Sequence, residues 1–177
     1  MQSDDAALVA RAGRGDDDAF REIFERHHRF VYRFLYAMTG NHHEAEELLQ
    51  QTFIAAHGGL TSLRHEARLT TWLCAIARNL AAKSYRRAAR EIDVEVASLQ
   101  TPERALLDDE LSRAIAHALL ELDEDKRTVF TLKMIQGLSY EEIAAITGSA
   151  VAKLKSDLCR AKGRMRALLA AYREGRS

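Results

Sequence analysis

Cationic and polar side chains recur along the stretch "VAKLKSDLCRAKGR", at Lys153, Lys155, Ser156, Arg160 and Arg164, and a carboxylate, Asp157, stands among them. At about 100° per residue, Val151, Leu154, Leu158, Ala161, Met165, Leu168 and Tyr172 line up as one apolar stripe of a helix, which places Lys153, Ser156, Asp157, Arg160 and Arg164 on the opposite side. Just upstream, Ser139 and Glu142 have the Ser-x-x-Glu spacing in which each side chain satisfies an unpaired amide of a helix's first turn. Gly148 then closes that helix. A short helix, a tight glycine-containing turn and a second helix make a helix-turn-helix, whose second helix can place its N-terminal half against base edges in a major groove. An ordinary helical hairpin with a basic surface has the same local pattern, so the charge of the whole chain bears on the choice.

The chain has 26 basic and 26 acidic residues, but they are not mixed. Residues 61–90 carry 7 basic and 1 acidic side chains and residues 126–177 carry 11 and 4, whereas 1–60 carry 6 and 10 and 91–125 carry 2 and 11. Two basic segments divided by an acidic one suit two anchoring points on one polyanion, with the acidic stretch held away from it. Solvated helix faces also carry runs of charge, so neither basic block decides the matter alone.

At 177 residues the chain is long enough for one medium domain or two small ones. A single proline, Pro102, and glycines placed where helices could stop favour an all-α protein. From Asp16 to Met38, apolar residues at three- and four-residue steps (Phe20, Ile23, Phe24, Val31, Phe34, Leu35, Met38) predict a long helix ended by Gly40. "HHEAEELLQQTFIAAHGG" predicts a second helix with Leu48, Leu49, Thr52, Phe53 and Ala56 on one side. After the loop "TSLRHEARLT", the stretch "TWLCAIARNLAAKSYRRAAR" turns Trp72, Leu73, Ile76 and Leu80 inward. From Glu91 to Glu103 neither period is sustained, and this segment reads as a flexible linker. The expected organisation is a domain over 1–90, an acidic linker over 91–105 and a helix-turn-helix domain over 106–177. Helices are expected from about Pro102 to Leu120 and from Asp123 to about Gln136. About fifteen extended linker residues span about 50 Å, enough for the two domains to sit well apart.

Other chemistries find little support. The opening "MQSDDAALVARAG" lacks a basic start followed by an apolar run, and no stretch approaches the roughly 18 apolar residues of a membrane span, so a cytoplasmic chain without membrane insertion is expected. Cys74 and Cys159 lie far apart and read as unpaired thiols. The histidines His27, His28, His42 and His43, with Glu44, show no His-Glu-x-x-His spacing. No metal or other cofactor is expected.

The stretch "LSYEEIAAITGSAVAKLKSDLCRAKGRMRALL" resembles the C-terminal promoter-reading domain of the extracytoplasmic-function (ECF) sigma factors of bacterial RNA polymerase. The rest of the chain fits in order. "GDDDAFREIFERHHRFVYRFLYAMTGN" looks like that family's first long helix, "EAEELLQQTFIAAHGGL" is similar to its polymerase-binding helix, and "TTWLCAIARNLAAKSYRR" to its promoter-melting helix. The resemblance covers about residues 15–170. It implies a dissociable specificity subunit that catalyses nothing itself. Its first domain would bind core polymerase and open the minus-ten element, its second would read the minus-thirty-five element as duplex, and an anti-sigma protein would hold it inactive. The linker, bearing Glu91, Asp93 and Glu95, would thread the core enzyme as a mimic of a polyanion.

Carried over position by position, the resemblance assigns polymerase binding to Glu47, Gln50, Gln51 and Phe53, with Phe53 expected in the core. Asn79 matches the position that takes a flipped base, and its amide offers both donor and acceptor to a base edge. Arg78, Lys83, Arg86 and Arg87 are candidates for phosphate contacts, with the loop from Leu60 to Leu69 lining the pocket. On the last helix Lys153, Lys155, Ser156, Asp157 and Arg160 are the candidates. Two positions depart from the pattern. The family usually has an acid where Gln51 stands, and most often an arginine where Asp157 stands. Asp157 has three readings: it accepts from a cytosine amino group, it pairs with Lys153 or Arg160, or it weakens the grip on DNA. A sigma-like binding protein that does not start transcription is the alternative function.

Overall fold

The computed structural model describes residues 2–63, 68–91 and 110–174, and every regular element among them is helical. Helix α1 (Gln2–Ala12) was not legible in the acidic opening of the chain. Tertiary contacts hold it: Leu8 is buried in the core, and Asp5 pairs with Arg26 at 3.5 Å and with His27 at 3.4 Å.

Helix α2 (Asp17–Thr39) starts where the Asp16 side chain accepts from the Ala19 amide at 3.0 Å, and it stops at Gly40. Gly40 has φ 67°, a left-handed conformation that glycine adopts without steric cost, and its amide donates to Tyr36 O at 2.8 Å. Ile23, Val31, Phe34 and Leu35 are completely buried, as their spacing predicts. Phe24 departs from that stripe. It is 37% exposed at the rim, stacked on His28 and set edge-on to Phe53 at 4.8 Å.

Asn41 caps α3 (His42–Gly59) by accepting from the Glu44 amide at 3.1 Å. A short 3₁₀ turn (Leu60–Ser62) follows, then α4 (Leu69–Glu91), whose Leu69, Leu73, Cys74, Ala77 and Ala81 point inward while Trp72, Ile76 and Leu80 are half-buried. Burial of Cys74 pushes its thiol up to about 12, which leaves it an inert core residue. Beyond Glu91, the expected linker lies outside the described residues, as does the predicted helical start from Pro102 to residue 109.

The second half opens with α5 (Glu110–Leu120) and α6 (Glu124–Phe130), the latter capped by Asp123, which accepts from the Lys126 amide at 3.0 Å. The predicted helix to Gln136 finishes in one wider π turn (Thr131–Ile135), closed by Gln136 N–H donating to Thr131 O at 3.0 Å. Helix α7 (Tyr140–Thr147) has the predicted capping box in full: the Glu142 amide donates to Ser139 Oγ at 3.1 Å, and the Ser139 amide donates to Glu142 Oε2 at 2.8 Å. Gly148, with φ 70°, ends it, and α8 (Val151–Glu174) follows.

The two halves do not stand apart. Leu132, Leu138, Ile143, Ile146, Leu154 and Leu158 share one buried cluster with Ile23, Phe34, Leu35 and Leu73, and a smaller cluster joins Ala37 of α2 to residues of α5 and α8. Helix α7 packs against α4. Polar contacts cross the same boundary: Gln136 Nε2 donates to Phe30 O at 3.0 Å, and Arg68 pairs with Glu142 at 2.7 Å. At Gly40 a Cβ would lie 2.4 Å from Leu120 Cδ1, so the glycine also makes room for the end of α5.

Candidate nucleic-acid interface

The α3 surface is built by the helical period. Leu48, Thr52, Phe53 and Ala56 turn into the core, Thr52 returning its hydroxyl to Leu48 O at 2.7 Å, and this leaves Glu47, Gln50 and Gln51 exposed side by side. Phe53 is 4% exposed, as expected of a core residue. Glu47 has His43 one turn before it, at 3.3 Å. Sequence reasoning missed Ile54, which is 73% exposed one turn beyond Gln50 and Gln51. Its position just outside the apolar stripe of α3 was the available signal: an isoleucine there adds exposed apolar area at the end of a polar patch.

On α4, Asn79, Lys83 and Arg86 are all exposed, and steps of four and three residues put them on one side of the helix. Arg78 is half-buried, and its Nε has no hydrogen-bond partner among the described residues. The side chain of Arg87 and residues 64–67 of the candidate pocket loop lie outside the described residues. At the loop's ends, Leu60 and Leu69 are each 4% exposed, so the segment is anchored in the core on both sides. Ser84 donates to Glu44 Oε1 at 2.8 Å and ties the middle of α4 to the start of α3.

On α8, Leu154, Leu158, Ala161 and Met165 are buried as predicted, and Lys153, Lys155, Ser156, Arg160 and Arg164 are exposed. The Tyr172 side chain lies outside the described residues. Lys155 Nζ sits 5.6 Å from the centre of the Tyr140 ring at the start of α7, and Lys133 lies 4.9 Å from the same ring. Asp157 is where the structure corrects the sequence reading. It is 8% exposed rather than on the outer face, because α6 packs along that edge of α8 and widens its buried stripe. Its Oδ2 accepts from Lys153 Nζ at 2.7 Å, and the same ammonium donates to Asp125 of α6, also at 2.7 Å. These two carboxylates raise the lysine's pKa to about 12.

Two exposed cationic helix faces, on α4 and α8, and one polar face ending in the exposed Ile54, on α3, are the candidate surfaces of this helical protein for a polyanion and a protein partner. No described helix is long and apolar enough to cross a membrane. Comparison with known proteins supplies the family. Residues 23–91 match Sigma-70 region 2, and residues 112–165 match Sigma-70 region 4. Over 173 residues the chain is 32% identical to the ECF RNA polymerase sigma factor SigW of Bacillus subtilis, covering 89% of this chain and 92% of that one. It is also 32% identical to the ECF RNA polymerase sigma-E factor of Haemophilus influenzae, covering 91% and 93%. Among solved structures, the sigma factor RpoE of Bartonella quintana in complex with the anti-sigma factor NepR superimposes with a TM-score of 0.75 at 28% identity, covering 85% of this chain and 96% of that one. CnrH in complex with the cytosolic domain of CnrY gives the same score and identity, covering 95% and 98%. The chain belongs to the ECF subfamily of sigma factors, which direct RNA polymerase in transcription initiation.

Proposed function

We propose that the three surfaces divide the work of a promoter-specific initiation subunit acting in the cytoplasm without catalysis of its own. Glu47, Gln50 and Gln51 on α3 hydrogen-bond core polymerase, a polar grip suited to a complex that must dissociate. The α4 face opens the minus-ten element, with Asn79 capturing an unstacked base and Lys83 and Arg86 following the phosphates of its strand. The exposed N-terminal half of α8 reads the minus-thirty-five element as duplex. The observation that carries this reading is the alignment of Asn79, Lys83 and Arg86 on one open side of α4. An anti-sigma protein is the expected regulator, a reading supported by the complex in which the Bartonella quintana relative was solved.

The test is to reconstitute the chain with bacterial core polymerase and map the genomic fragments it directs to be transcribed. Discrete start sites are expected. The packing of α7 on α4 favours a second reading, a sigma-like regulator that binds polymerase without initiating. Core binding with no transcription from any promoter selects that alternative.

A further inference from the structure

Lys153 lies in the first turn of α8, within the half of the helix that a helix-turn-helix offers to DNA, and its ammonium is spanned by two carboxylates from different helices. A lysine preceding an aspartate by four residues is the less favourable order for a pair on one helix, and an exposed pair of this kind is worth little. Two features make this arrangement different. Asp157 is buried against α6, which fixes its carboxylate, and Asp125 closes on the same ammonium from the first turn of α6. Of the three ammonium protons two are spoken for, and the trio carries a net negative charge where a lone lysine would carry a positive one. Lys155, two residues on, projects about 200° away toward Tyr140 and takes no part.

We propose that Asp157, acting with Asp125, withholds Lys153 from the DNA backbone, and so is a positioning residue that sets which cations of α8 grip a duplex. The inference rests on α8 being the duplex-reading helix. Contact with phosphate then falls to Lys155 and Arg160, while Lys153 serves to join α8 to α6. A chain that removes one non-specific contact in this way gives up affinity for any duplex and leaves base-edge contacts a larger share of its binding.

The experiment measures binding of mixed-sequence duplex DNA by the full-length chain as a function of salt, for the parent, Asp157→Asn, Lys153→Ala and the double variant. Asp157→Asn is expected to tighten binding and to steepen the plot of log affinity against log salt by about one unit, the increment for one added phosphate contact. Because removing a negative charge favours DNA on its own, the deciding quantity is the difference between backgrounds. The steepening is expected to vanish when Lys153 is alanine. Asp125→Asn, a surface change on α6, is expected to act in the same direction and covers the case in which Asp157→Asn unfolds. A salt slope that is unchanged, or changed equally with and without Lys153, overturns the inference while leaving α8 as the DNA-binding helix. Absence of salt-dependent binding by the parent and all variants overturns the assignment of α8 and the inference with it.

Discussion

Arg127 donates to Met38 O at 2.6 Å, Leu120 O at 2.8 Å and Leu122 O at 2.9 Å, so one buried guanidinium satisfies carbonyls at the ends of two helices from the two halves of the chain. Burial lowers its pKa, with Tyr85, Glu124 and Asp123 opposing the shift, and a guanidinium remains charged through such a change. The fork serves here, since its two terminal nitrogens reach three carbonyls from separate positions whereas a lysine offers a single nitrogen. Arg127→Met is expected to leave these carbonyls unpaired and to destabilise the chain by about 3 kcal/mol, read from denaturant unfolding. Arg127→Lys is expected to recover only part of that loss. Asn79 tests function at the same scale. Asn79→Ala, at an exposed position, is expected to leave unfolding and duplex binding unchanged and to weaken promoter opening by about 1–3 kcal/mol, the usual worth of a base contact. Permanganate reactivity of promoter thymines measures it, and equal opening by variant and parent removes Asn79 from the proposed role.

At the scale of elements, α3 separates stability from binding on its two sides. Leu48, Thr52, Phe53 and Ala56 hold it in the core, and Glu47 and Gln50 make no contact there. Changing both to alanine is therefore expected to reduce co-purification with core polymerase at least tenfold, a loss of about 1.4 kcal/mol, without lowering the unfolding midpoint. Retention of core binding by this pair of changes would show that the polymerase grips another surface. Helices α2, α3, α6 and α7 were legible because their signals are local: Asp16, Asn41, Asp123 and Ser139 each accept from an amide three residues on, and Gly40 and Gly148 take positive φ where the helix must stop. The π turn at Thr131–Ile135 has no such signature; the Leu138 amide donates back to Leu132 O, and Gln136 Nε2 donates across to Phe30 O of α2.

For the whole molecule, packing of the halves sets a geometric condition on function. Helix α8 has 24 residues and is about 36 Å long at about 1.5 Å per residue. Promoter elements centred near minus ten and minus thirty-five lie roughly 25 base pairs apart, about 85 Å along B-form DNA. With α7 against α4, the two faces proposed to read DNA belong to one closed molecule, and engaging both elements together is expected to require the halves to part. The contacts that close the molecule, Arg68 to Glu142, Gln136 to Phe30 and Arg127 to Met38, are expected to part when the chain joins core polymerase. Probes placed on α3 and near the end of α8 should report a distance that increases by tens of ångströms on core binding. An unchanged distance in the transcribing complex would contradict this.

The sequence by itself determined the helices after α1 apart from the π turn, the capping box of α7, the glycine stops and the exposed sides of α3 and α4, because a period of about 3.6 residues and amide-to-side-chain bonds over three or four residues are written in neighbouring positions. It did not determine what flanks a helix. The wheel placed Asp157 outside because it knows only the axis of α8, whereas α6, more than 25 positions earlier, covers that edge and brings Asp125 to Lys153. Helix α1 and the shared core depend likewise on residues distant in the chain, Asp5 with Arg26 and Leu132 with Phe34 among them. Only the tertiary structure decided that a cation on α8 is already held by two carboxylates, since the charge a partner meets depends on side chains brought together from separate helices.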